Sequence, residues 1–161
     1  MRLRYAVAAL VLLTACARGD GTALPAAPKG GFDPAVTVTF AGAPPLRVEV
    51  ARRADQRARG LMQRTSLPAD GGMVFLFPGR VTVGFWMKGT LIPLSIAYVD
   101  GDRVVSTAEM VPCTADPCRD YPPAGPYTAA VEAPAGFFPS HGVTAGTRMT
   151  VTGATGSPEP D

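Results

Sequence analysis

Ile92–Val111 reads IPLSIAYVDGDRVVSTAEMV, and its alternation decides the fold class. Ile92, Leu94, Ile96 and Tyr98 share one face of an extended chain, while Ser95 and Ala97 take the other. Asp100-Gly101 then supplies a hairpin turn, after which Arg103–Val111 returns as a second strand. Working outward, the same short strands separated by turn residues recur. Val36–Phe40 and Leu46–Ala51 flank Gly42-Ala43-Pro44-Pro45 as a hairpin or its longer-looped equivalent. Met73–Phe77, MVFLF, is continuously apolar and reads as a central, buried strand. Val83–Lys88, Tyr127–Ala133 and Arg148–Thr152 complete the strand set. Helical signal is scarce. Ala51, Ala54, Ala58 and Leu61 fall at helical spacing, with Asp55 four residues before Arg59. This predicts a short amphipathic helix over Arg53–Met62, with Gly60 near its end allowing a stop or close backbone packing. Ala135–His141 holds a helical turn interrupted by Pro139. Seven or eight short strands against one real helix make a compact, mainly β domain over residues 35–152.

The whole chain has 161 residues, 15 Lys plus Arg against 13 Asp plus Glu, and three Cys. That is one domain's worth of chain. Only 17% of residues are charged and the formal balance is +2, which argues against a basic nucleic-acid-binding face. Both surplus charges, Arg2 and Arg4, belong to the n-region of the leader-like segment Met1–Ala15. Its apolar run Ala6–Ala15 has the length of a signal h-region and is too short to span a bilayer. Leu13-Thr14-Ala15-Cys16 resembles the bacterial lipobox, in which the Cys thiol is alkylated by a diacylglyceryl group before cleavage. Lipidation is thus expected at Cys16, and the membrane is the expected partner through that anchor. Acyl chains contribute about 0.8 kcal/mol per buried methylene, so attachment by two or three of them is firm. Residues 17–34, ARGDGTALPAAPKGGFDP, read as a flexible tether with roughly 23 Å of typical reach. Residues 153–161, GATGSPEPD, read as a disordered tail. The expected location is extracytoplasmic.

Three segments of the domain carry a specific resemblance. Arg57-Ala-Arg-Gly-Leu-Met-Gln-Arg64, Gly72-Met-Val-Phe-Leu-Phe77 and Phe85-Trp-Met-Lys-Gly-Thr-Leu-Ile-Pro-Leu-Ser-Ile-Ala-Tyr-Val-Asp100, followed by Glu132 and the Gly136–Gly146 region, resemble the bacterial and archaeal family known as domain of unknown function 192. The resemblance runs from Val48 to Thr152. It implies a jelly-roll-like β-sandwich or barrel with one or two short helices, often behind a signal or lipoprotein leader, and it implies no established activity. Gly89 stands where that family commonly has Asn, and Ser95 where it commonly has Asp.

Catalytic constellations are absent from the residues. His141 is the sole histidine, and no Gly-x-Ser-x-Gly elbow accompanies it. Metal ligands are scattered and no dinucleotide fingerprint occurs, so neither a metal nor a cofactor is expected. Asp100, Asp102, Glu109 and Glu132 could in principle converge for glycoside hydrolysis, but their spacing is unspecific. Glu49 and Glu132 are expected to pair with Arg52, Arg57 or Arg64. Cys113 and Cys118, in PCTADPCRDYPP, are expected to form a disulfide outside the cytoplasm.

What remains is a binding face. If Phe85 and Met87 point to one side of their strand, Trp86 and Lys88 point together to the other, setting an aromatic plane beside a cation that suits sugars and small anions. The competing reading places Trp86 in the core with Lys88 snorkelling at the sheet edge. Thr90 and Ser95 join the candidate ligand-binding residues. Arg64 either completes the pocket through a bidentate contact with a carboxylate or pairs with an internal acid. The expected function is a membrane-anchored module that binds a small polar ligand, a glycan or another envelope component without catalysis. A carbohydrate-active hydrolase and a structural or protein-interaction module are the alternatives.

Overall fold

Apolar residues on both faces of the central strands require two separate covers, and the chain provides them. The computed structural model describes residues 36–153 and 155–160. The expected leader, Cys16 and the tether therefore lie outside the described residues. The elements follow in the order β1 (Thr37–Phe40), β2 (Leu46–Ala51), α1 (Ala54–Arg59), β3 (Gly71–Val81), β4 (Phe85–Trp86), β5 (Leu94–Asp100), β6 (Arg103–Met110), β7 (Asp120–Tyr121), β8 (Tyr127–Pro134), α2 (Phe137–Ser140) and β9 (Met149–Thr152).

Seven strands form one sheet in the order β6-β5-β8-β3-β2-β1-β9. The expected hairpins form, β1 with β2 and β5 with β6. β2 and β3 run parallel, with Glu49 opposite Met73, and β3 pairs antiparallel with β8, Met73 opposite Glu132. The sheet curls far enough that residues leading into β9 reach the start of β6. There Val104 N–H donates to Thr147 O at 3.0 Å and Gly146 N–H to Val104 O at 2.8 Å. The mainly β expectation holds: a curled sheet, a two-stranded ribbon of β4 and β7, and two short helices.

β5 shows why two covers are needed, because Leu94 through Val99 are all buried. Ala97 and Val99 join Val38, Phe40, Val74 and Val131 on one face, where Phe138 of α2 packs edge-on against Phe40. Leu94, Ile96 and Tyr98 join Met73, Phe75 and Tyr127 on the other. Leu61, Met87 and Tyr121 cover that second face, and Phe85 meets Phe75 edge-on at 5.0 Å. Two phenols tie the ribbon down. Tyr98 donates to the Tyr121 carbonyl, and Tyr127 to the Val83 carbonyl at 2.9 Å.

Several local expectations are corrected. The helix is shorter than Arg53–Met62, because Gly60, at φ +47, ends it. None of its residues is buried, so Ala54 and Ala58 do not form the expected core stripe; Ala51 and Leu61, flanking it, do the packing. Asp55 pairs with Arg53 at 2.8 Å rather than with Arg59. Only Phe85–Trp86 of the expected strand 83–88 is paired, since its partner β7 is two residues long. Beyond β9, among the described residues, Glu159 N–H donates to Arg52 O at 2.9 Å.

Gly72 marks the tightest strand contact. A Cβ placed there would stand 2.3 Å from the Glu132 carbonyl oxygen, so β3 and β8 can close only around a glycine. Gly72→Ala should cost about 1–3 kcal/mol, the range for forcing a methyl into a packed interior. Urea denaturation would show it as a lower midpoint at unchanged m-value, and an unchanged midpoint would refute this account of the register.

Candidate functional site

Two of the sequence segments singled out above meet on the second face of the sheet. Gly60-Leu61-Met62-Gln63-Arg64 follows α1, and Phe85-Trp86-Met87-Lys88-Gly89-Thr90 forms β4 and the turn after it. Gln63 N–H donates to Gly89 O at 2.9 Å, and its side-chain amide donates to the same oxygen at 3.3 Å. Gly89 sits at φ +68, where a Cβ would lie 3.6 Å from Met62 Sδ. Left-handed backbone is open to Gly and, next best, to Asn. Glycine at position 89 therefore follows from backbone shape.

Between these segments lies a recess of about 30 Å³, floored by Phe75 and Glu132 and rimmed by Arg57, Arg59, Trp86 and Thr90. That space holds one water, or one group of similar size. Glu132 is the chemically unusual member. Its side chain projects from β8 onto the second face, between Met73 and Ile96 of the neighbouring strands. It is 5% exposed, and its Oε2 is buried without a hydrogen-bond partner among the described residues. Burial pushes its pKa up to about 8. Across Met73 on the same face stands Glu49, whose Oε2 pairs with Arg64 at 2.7 Å while Oε1 is buried without a partner. These are the two orphaned buried side-chain oxygens among the described residues.

The expected binding residues separate into three places. Trp86 is 54% exposed, which removes the core reading, and Thr90 is nearly buried beside it at the recess. Lys88 places Nζ 5.7 Å from the Trp86 ring centre and 3.4 Å from Asp116, so the aromatic plane and cation are adjacent as expected. Arg64 takes the internal alternative, with Glu49. Ser95 is fully buried on the opposite face of β5, where it donates to Glu109. The other Glu109 oxygen accepts Gly136 N–H at 2.8 Å, so this pair secures the start of α2 and stands apart from the recess.

The remaining candidates are engaged elsewhere. Asp100 pairs with Arg80 and Asp102 with Arg148, so they do not converge with Glu132. His141 Nδ1 lies 2.7 Å from the Phe137 carbonyl, finishing the turn of α2. Cys113 and Cys118 are joined as a disulfide. Asp116 is the third member of that cluster of potential metal ligands, but both sulfurs are spent in the bond. Glu132 as an unpaired recess group and Arg59 on its rim escaped the sequence reading. The available signal was a lone charge within the otherwise apolar run Ala129–Ala133.

Comparisons agree on the fold and leave the recess without an assigned role. The family model DUF192, described as "Uncharacterized ACR, COG1430", matches residues 36–151. A crystal structure of a protein of unknown function from Novosphingobium aromaticivorans DSM 12444 is similar at TM-score 0.64 and 36% identity, over 71% of this chain and 82% of that one. One from Sinorhizobium meliloti 1021, described as a candidate transcription regulator, is similar at TM-score 0.62 and 29% identity, over 72% of this chain and 91% of that one. No curated protein matches.

The Glu132 carboxyl gives a signed pH prediction. The folded protein keeps this proton between about 4.5 and about 8, where the unfolded chain has released it. Stability from this group is thus complete below pH 4.5, falls as pH rises through that window, and levels off above about 8. The slope approaches about 1.4 kcal/mol per pH unit at most. Chemical denaturation from pH 5 to 9 should show it in the native chain and lose it in Glu132→Gln; parallel pH profiles would contradict it.

Proposed function

The chain belongs to the DUF192 family, uncharacterised in function, and from that premise we propose that it is an envelope-anchored binding module taking a small hydroxylated ligand at the Trp86–Glu132 recess. One observation carries this reading: an unpartnered, buried carboxyl opens onto a recess beneath a half-exposed tryptophan. A buried polar group without a partner costs about 1–3 kcal/mol, and a ligand hydroxyl would recover that cost. The aromatic plane adds a stacking surface for the rest of the ligand. The dispersed Asp100, Asp102 and Glu109 favour binding over hydrolysis, since glycoside cleavage needs two carboxylates facing one bond.

Anchoring rests on the leader-like sequence Met1–Ala15 and on Cys16 in its lipobox-like context. A closed Cys113–Cys118 bond accords with an oxidising location. In this reading the lipid anchor holds the domain at the membrane on its tether, and the recess samples what diffuses nearby.

Trp86 is the only tryptophan in the chain, so its fluorescence reports directly on the recess. Titration with monosaccharides and their derivatives should shift the emission saturably, and Trp86→Ala should weaken binding measured by calorimetry at least about tenfold, or 1.4 kcal/mol. No saturable response and no thermal stabilisation by any of them would refute the binding reading. Separately, mass spectrometry of protein from the membrane fraction should find acyl chains on Cys16. An unmodified Cys16 would refute the anchor.

A further inference from the structure

We infer that the recess selects an acidic sugar or a comparable hydroxylated ring acid, with one hydroxyl received by Glu132 and the acid group met by Arg59. This deepens the binding reading proposed above and rests on it. Size comes first. About 30 Å³ admits a single hydroxyl-sized group, so the body of a ligand must lie outside, against the half-exposed Trp86 ring. A hydroxyl both donates and accepts, which suits the unpartnered Glu132 carboxyl; a methyl group would leave its Oε2 unpaired.

Charge then selects among hydroxylated ligands. Two guanidinium groups stand on the rim, which disfavours an ammonium there. Arg57 is committed to the chain itself: its Nη1 donates to the carbonyls of Arg52 at 2.7 Å and Leu76 at 3.0 Å, and the group lies over the Phe77 ring. Lys88, beyond Trp86, is balanced by Asp116 at 3.4 Å. Arg59 is exposed and has no ion-pair partner among the described residues, because Asp55, the acid one turn before it, is held by Arg53 at 2.8 Å. Its planar fork of donors suits a carboxylate. Among the described residues, Glu132 is the sole acid lining the recess.

The test compares D-glucuronate with methyl glucoside at matched ionic strength and pH 6.5, read by Trp86 fluorescence. Glucuronate should bind at least tenfold more tightly. Arg59→Ala should erase that preference, whereas Arg148→Ala, which removes the same charge beside Asp102 and away from the recess, should preserve it. Equal affinities for the two sugars, or a preference that survives Arg59→Ala, would overturn the acidic-ligand inference while leaving the recess as a binding site. Failure of both sugars to bind would overturn this inference and the binding reading together.

Discussion

A sheet whose central strands are apolar on both faces cannot rest one of them against water, and this constraint organises the molecule. One face packs against α2, with Phe138 among its strand residues. The other takes its cover from loops: Leu61 after α1, Met87 after β4, and Tyr121 from β7. Those loops must therefore approach one another. Their meeting point, bonded from Gln63 to Gly89, is where the recess opens. The site follows from covering a surface, and its location is set by strand register.

That register gives Glu132 its character. Pairing aligns Glu49, Met73, Glu132 and Ile96 across four strands on the same face. Glu49 lies toward the side that Arg64 reaches and obtains an ion pair. Glu132 has Met73 and Ile96 beside it, neither of which can donate a hydrogen bond, and it retains its proton in the apolar surroundings. The Ser95–Glu109–Gly136 arrangement shows the usual alternative, in which both oxygens of a carboxylate find donors. A buried carboxyl left unpartnered beside an opening is the kind of exception that marks a site for something brought from outside.

Local pattern made most of the strands readable. Alternation and turn residues located both hairpins, and the unbroken run Met73–Phe77 correctly indicated a strand buried within the sheet. Gly60 marked the helix stop, although the apolar spacing around it overstated the helix. The parallel pairing of β2 with β3 and the two-residue β7 depend on contacts far along the chain, for which no nearby residue gives a signal. The site was partly readable for the same reason. Trp86 turns outward as strand alternation predicts, and Lys88, in the turn after β4, comes to lie beside its ring. Ser95 was misplaced because only the finished sheet reveals which face meets the recess, and the Arg64–Glu49 pair depends on tertiary approach.

The central claim is that Glu132 remains a buried, unpartnered carboxyl until a ligand meets it. NMR observation of its side-chain carboxyl carbon across pH, in selectively labelled protein without ligand, tests this most directly. The account predicts titration near pH 8, well above the ordinary carboxylate range. Titration near 4.5 would mean that the group is already hydrated or paired, and would contradict the claim.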